Sequence, residues 1–362
     1  MPIVRVPLNL SLFATAAAIL CGSAHATEPV TPASAEVVVT AQRTPEVASR
    51  TPLALSVVSG EQLTTDGIAR PSDLVKRLPN VSIDGAADGL KITIRGVTSA
   101  DTTEKGDPSA AFMVDGIYIA RPQSQDFSLL DVERVEVLRG PQGTLYGRNA
   151  TAGVINIISR TPTDVLEGSA AVELGTFNMR RADAMLNVPV TSGLSLRAAL
   201  ATTSHESYLR NGQGTGHALG LDRDDRAARL SARLALGDNA SLVLRYDLGI
   251  QHDNPDNTVQ DGNFYSGVAT GNPVARDAST TQRLTNSFMA PNAIPVQGFR
   301  ERRTSGVGAD LTWKLGSATV YYLGSRRHFD DDFLTNYYYR VAPTLALGVR
   351  ENFTGAYTQD TH

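Results

Sequence analysis

"GPQGTLYGRNATAGVINIISRTP", residues 140–162, sets four glycines (Gly140, Gly143, Gly147 and Gly153) before the apolar run GVINIIS. Such turns either cradle a phosphate or let backbone fold tightly against backbone. A phosphate loop requires G-x-x-x-x-G-K-[ST], and here Gly147 is followed by Arg148 and Asn149. A dinucleotide fingerprint requires G-x-G-x-x-G, which Gly140-Pro141-Gln142-Gly143 breaks at once. Tight backbone turns remain.

Working outward, VERVEVLRG (residues 132–140) alternates: Val135 and Val137 face one way, Arg134 and Glu136 the other. LKITIRG, AAFMVDGIYIA and GVINIISR are further strands, and Asp115-Gly116 is a hairpin turn between two of them. Upstream, SGEQ (Ser59–Gln62) has capping-box spacing and opens a short helix ended by Gly67. RPSDLVKRLP predicts a second short helix between Pro71 and Pro79. Residues 51–165 therefore read as an α+β domain.

After Pro162 the texture changes to segments of about ten residues in strict alternation, the length of a tilted membrane strand. Leu230, Ala232, Leu234 and Leu236 oppose Arg229, Ser231 and Arg233; Leu242, Leu244, Tyr246 and Leu248 oppose Arg245 and Asp247. Ala309, Leu311, Trp313 and Leu315 likewise oppose Asp310 and Lys314. A soluble sandwich also alternates, but short turns (TSG, GDN, GS) alternating with long loops favour a barrel. Gln251 to about Arg303 has no period and reads as one long loop.

The chain has 362 residues, 41% of them hydrophobic, and a net charge of -4, which gives no reason to expect nucleic acid. Residues 1–26 combine a basic start, a short apolar run and Ala24-His25-Ala26, the pattern of a cleaved secretory signal. Cys21 is the only cysteine, so the mature chain has none and no thiolate chemistry. No acid, base or nucleophile constellation stands out, the histidines lack metal spacing, and DNPDNTVQDG matches a calcium loop in composition only. The reading is therefore not an enzyme, with no catalytic or metal residues and no cofactor; a soluble periplasmic enzyme with a novel site is the distant alternative. Residues 27–50 look flexible, apart from the β-prone EVVVTAQR (36–43), which is either a candidate to add to a partner's sheet edge or an ordinary edge strand of the next domain.

The stretch from Val132 to Pro162, with ITIRGV (92–97) and VDGIYI (114–119), resembles the plug domain of TonB-dependent outer-membrane receptors. EVVVTAQR resembles the TonB box, here Glu36, Val37, Val38, Val39, Thr40 and Ala41. The plug motif falls on Arg95, Gly96, Asp115, Gly116, Arg139, Gly140, Gly143, Tyr146, Gly147, Arg148 and Gly153. The resemblance implies an α+β plug followed by an antiparallel transmembrane β-barrel of about 22 strands. It implies a Gram-negative outer-membrane transporter, sitting in outer-membrane lipid. A scarce ligand binds from outside, most often a ferric siderophore, with haem, cobalamin and oligosaccharides as alternatives. TonB and its inner-membrane energising complex pull on the box. It also implies that Arg95 and Arg139 pair with barrel carboxylates as a releasable latch.

The length strains this reading. Residues 166–362 hold about seven or eight strands, and a barrel that small has room only for side chains. The expectation is an incomplete barrel in a truncated chain. Its alternative function is that of a non-transporting fragment whose plug only engages TonB.

Overall fold

The computed structural model describes residues 4–5, 8–9, 38–39, 46–47, 53–86, 89–99, 101, 106–207, 222–254, 299–336 and 350–361. Two short strands, β1 (Val4–Arg5) and β2 (Leu8–Asn9), come first in the chain. They lie antiparallel to β12 (Glu167–Gly175). The rest of the signal-like segment falls outside the described residues.

The plug begins with β3 (Val38–Val39) and β4 (Glu46–Val47), which form a small antiparallel pair. Next come β5 (Leu55–Ser59) and α1 (Gly60–Thr65). The capping box at the start of α1 forms as expected: the Gln62 amide N–H donates to Ser59 Oγ at 3.2 Å and the Ser59 N–H to Gln62 Oε1 at 2.9 Å. The second predicted helix is instead a 3-10 helix, Pro71–Lys76. Its entry is tied down by Asp73, whose carboxylate accepts from the N–H groups of Ala69 (3.1 Å) and Arg70 (3.0 Å). That local capping favours the tighter turn.

The remaining plug strands are β6 (Val81–Ala86), β7 (Gly89–Ile94), β8 (Ala110–Val114), β9 (Ile117–Tyr118), β10 (Val132–Arg139) and β11 (Gly153–Ser159). A one-turn helix, α2 (Gly143–Tyr146), precedes β11. One sheet runs β5-β10-β11-β8-β9, with β11 and β8 parallel and the other pairs antiparallel. β6 and β7 form a separate hairpin. Both faces of the main sheet are covered, so β8 (AAFMV) and β11 (GVINIIS) read as nearly continuous apolar runs. Val135, Val137, Phe112, Ile155 and Ile157 pack on one face with Leu63, Ile68 and Leu74. Leu138, Val154, Ala111 and Met113 pack on the other, where Val39 joins them.

The glycines answer the opening question geometrically. Gly140 and Gly147 have φ of 101° and 81°, a region side chains rarely enter. Gly153 has φ 152°, and a Cβ there would lie 2.2 Å from the Leu138 carbonyl oxygen on the neighbouring strand. Gly153→Ala is therefore expected to destabilise the plug by more than about 1 kcal/mol. An unchanged denaturation midpoint would overturn that expectation.

The wall is a continuous antiparallel meander. After β12 follow β13 (Met179–Thr191), β14 (Leu194–His205), β15 (Arg223–Leu236), β16 (Ala240–Asp253), β17 (Phe299–Leu315), β18 (Ala318–Asn336) and β19 (Arg350–Thr361). Each pairs with the next in chain order. The expected alternation holds. Leu174, Leu186, Leu200, Leu230, Leu248 and Trp313 point outward and are exposed, while Arg197, Arg229, Arg300, Arg302 and Asp331 are buried on the inner face. An apolar exterior around a charged interior fits a lipid-facing wall and not a sandwich. Positive-φ glycines, Gly237 and Gly316, turn two of the short connections. The expected loop of 251–303 is shorter at both ends, because β16 runs to Asp253 and β17 starts at Phe299. Its interior lies outside the described residues.

Candidate functional site

The plug meets the inner face of the wall along a seam of ion pairs. At its centre is Arg70, placed by the chain's entry into the 3-10 helix. Its guanidinium lies among three carboxylates. Nε donates to Asp225 at 2.7 Å and Nη2 completes the fork on the same carboxylate. Nη1 donates to Asp253 at 2.9 Å, and Asp126 stands 3.8 Å away. Asp225 belongs to β15 and Asp253 to β16, so one plug side chain bridges two wall strands. Burial opposes the charge on Arg70, but the pull of Asp225 overcomes it and holds the guanidinium well above its usual pKa. Burial likewise raises the Asp73 carboxyl, but Arg223 of β15, 3.2 Å away, outweighs it and sets the net shift downward.

A second contact grips the plug segment before β10. Arg197 of β14 donates to both oxygens of Asp131, at 2.6 and 2.7 Å. Arg229 of β15 donates to the Leu130 carbonyl at 2.8 Å and to Asp247 at 2.6 Å. Arg302 of β17 reaches the Asp126 carbonyl at 3.4 Å. Three wall arginines thus hold one plug segment, residues 126–131. On β19, the Gln359 amide donates to the Tyr118 carbonyl at 2.6 Å and accepts from the Ala120 N–H at 3.2 Å.

Among the residues expected from sequence, Asp115 lies on the seam. Its φ is 51°, it accepts from the Ser159 N–H at 2.7 Å, and it faces Arg245 of β16 at 3.6 Å. Gly116 completes the same turn with φ 79°. Arg95 and Gly96 form an exposed turn with φ 51° and 82°, and among the described residues Arg95 makes no ion pair. Arg139 donates to Ser56 Oγ at 2.8 Å inside the plug, not to a described wall carboxylate. The polar contacts of the plug with the described wall instead include those of Arg70, Asp73, Asp115, Tyr118, Ala120 and residues 126–131. Tyr146 packs against the core face that holds Val39, and Arg148 pairs loosely with Asp107 at 3.8 Å. Of the box residues, Val38 and Val39 are described. Val38 pairs with Val47 and Val39 with Glu46, and Val39 is fully buried. Glu36, Val37, Thr40 and Ala41 lie outside the described residues.

Sequence reasoning missed Arg70, Asp131 and their partners. Arg229 and Asp247 were legible as inward charges by alternation. Arg70 carries no such signal, because it precedes a proline in an irregular turn.

Residues 47–154 match the model of the TonB-dependent Receptor Plug Domain. The chain is 29% identical over 274 residues to the iron-regulated outer membrane virulence protein of Vibrio cholerae, covering 70% of this chain and 39% of that protein. It is 32% identical over 163 residues to the pesticin receptor of Yersinia pestis, covering 44% and 23%. Its fold matches the ferric yersiniabactin uptake receptor FyuA from Yersinia pestis with a TM-score of 0.65 at 21% identity, over 79% of this chain and 42% of that one. The chain spans about two fifths of the V. cholerae relative's length. Plug, wall and comparisons together make the chain similar to the TonB-dependent outer-membrane receptors over the plug domain and the first strands of the barrel wall.

Proposed function

We propose that this chain serves a Gram-negative outer-membrane receptor that takes up a ferric siderophore with energy delivered through TonB. The observation that carries this reading is the seam: charged wall arginines hold a folded plug inside a wall whose outer face is apolar. A plug held by charge-assisted hydrogen bonds is fixed in orientation at rest, and each of those bonds can be exchanged for bonds to water on release. Relatives named as a ferric enterobactin receptor and a catecholate siderophore receptor support iron chelates as the ligand class. A vitamin B12 transporter is also similar, so cobalamin is the competing ligand. The chain is read as a receptor and not an enzyme.

TonB engagement is assigned to residues 36–41. Val38 and Val39 pair as a strand with Val47 and Glu46, which supports reading this segment as one suited to an antiparallel partner. The test is a cysteine at Val38 in a chain whose only other cysteine is Cys21. Cross-linking to cysteine-bearing TonB in intact cells is expected, together with uptake of radiolabelled ferric catecholate. Adding Val39→Pro should abolish both, because proline removes the ladder donor. Cross-linking without uptake of iron or cobalamin would support plug engagement alone. No cross-link would overturn the TonB assignment.

A further inference from the structure

The segment that joins plug to wall is itself bonded to the wall. β11 ends at Ser159 and β12 begins at Glu167, and the residues between them meet inward side chains of the following strands. Asn187, on β13, is fully buried and is registered between Glu167 of β12 and Arg197 of β14. Its Oδ1 accepts from the Thr163 N–H at 3.0 Å. Its Nδ2 donates to the Thr163 carbonyl at 3.0 Å, to the Thr163 hydroxyl at 3.0 Å and to the Val165 carbonyl at 2.6 Å.

The residue type matters to this pairing. In an antiparallel sheet, the two residues of a hydrogen-bonded pair exchange both N–H···O bonds. A side-chain amide carries the same acceptor and donor as a peptide group, so Asn187 stands in for a neighbouring strand at Thr163. A carboxylate in its place would accept but not donate, and an alanine would do neither. The flanking residues are held as well. Arg245 of β16 donates to Thr161 Oγ1 at 3.4 Å. Ser195 of β14 donates to Asp164 at 3.0 Å, and Arg233 of β15 pairs with the same carboxylate. Glu167 accepts from the Thr163 hydroxyl at 3.2 Å and lies 3.5 Å from Arg197. Side chains of β13–β16 thus hold residues 161–167.

Arg197 and Arg245 also serve the seam, through Asp131 and Asp115. The Asn187 side chain does not: among the described residues its hydrogen bonds go to Thr163 and Val165 alone. The held segment continues β11, which lies at the centre of the plug sheet between β10 and β8. We propose that Asn187 is a positioning residue, which fixes residues 161–167 to the wall as a tether that outlasts loosening of the plug core. A loosened plug then stays aligned with β13 through the central strand of its sheet, and can re-form in the same place. The inference concerns how plug and wall are joined and holds whichever ligand is carried.

The experiment measures hydrogen exchange at the Thr163 amide in the whole chain, purified in detergent, for the unaltered protein and three variants. In Asn187→Ala, exchange at Thr163 should rise about tenfold, the factor expected when one hydrogen bond of a locally opening unit is lost. The β10–β11 and β13–β14 ladders should stay as protected as before. Asn187→Asp should act like alanine despite its matching size, because a carboxylate has no hydrogen to donate. In Phe112→Ala, which truncates the plug core, β8, β10 and β11 should exchange faster while Thr163 stays protected. Faster exchange at Thr163 in step with β11 in that variant would overturn the tether's independence. Unchanged exchange at Thr163 in both Asn187 variants would overturn the role of Asn187. Loss of protection across β13 and β14 in those variants would make Asn187 a part of the wall's own fold, and would overturn it too.

Discussion

Arg70→Ala should loosen the plug from the wall more than any other single change on the seam. It leaves Asp225 buried at 3% side-chain exposure, with Asp253 and Asp126 beside it and Arg223, 3.7 Å away, as its remaining ion-pair partner among the described residues. Breaking a buried pair by removing one partner costs about 3–5 kcal/mol, because the remaining charge stays desolvated. The expected readout is faster proteolysis of the plug in detergent-solubilised protein, with a lower denaturation midpoint. Arg70→Lys should recover only part of the loss. A lysine replaces the charge but not the fork that donates from Nε and Nη2 to one carboxylate while Nη1 reaches another. Equal stability of the lysine and arginine proteins would sink the bidentate account.

The second large effect is expected at Phe112. It is fully buried in β8, and its ring meets Phe127 edge-on at 6.1 Å and 88°. Truncation to alanine removes that contact and leaves a cavity among Val135, Ile155 and Leu74, at a cost of about 3–5 kcal/mol. Phe112→Leu should cost clearly less, since it keeps most of the volume. Hydrogen exchange separates this from the Arg70 case. Phe112→Ala should speed exchange throughout β8, β10 and β11, whereas Arg70→Ala should act first on the seam, at residues 69–73 and 126–131. Both should leave the β15–β17 ladders protected, because those depend on strand pairing and lipid contact rather than on the plug core. Uniform loss of protection across plug and wall in either variant would contradict that separation.

These expectations bear on how the protein divides between what local sequence specifies and what assembly adds. Most of the architecture was written in short-range patterns. The period of two in β15, β16 and β17 marked a wall with one apolar and one charged face, and each register agrees with that alternation. Ser59 and Gln62 marked the start of α1, and the glycines at 140, 147 and 153 marked turns that a side chain would strain. Each of these is a local matter: a dihedral, a cap, a side of a strand. The same patterns named the family, since the motif from Val132 to Pro162 carries its own turn geometry.

Other features depend on residues brought together from far apart, and no spacing announces them. Arg70 finds Asp225 and Asp253 only once the wall has curved around the plug, so its role is absent from its sequence neighbourhood. The same holds for Arg197 with Asp131 and for Gln359 with Tyr118. Arg95 and Arg139, singled out by motif, sit on a turn and inside the plug, because a motif specifies backbone shape more firmly than it specifies a distant partner. Charge on the inner face was legible by alternation. Which charge meets which was decided by tertiary packing, since pairing energy falls off within a few ångströms and depends on the burial that only the assembled fold provides.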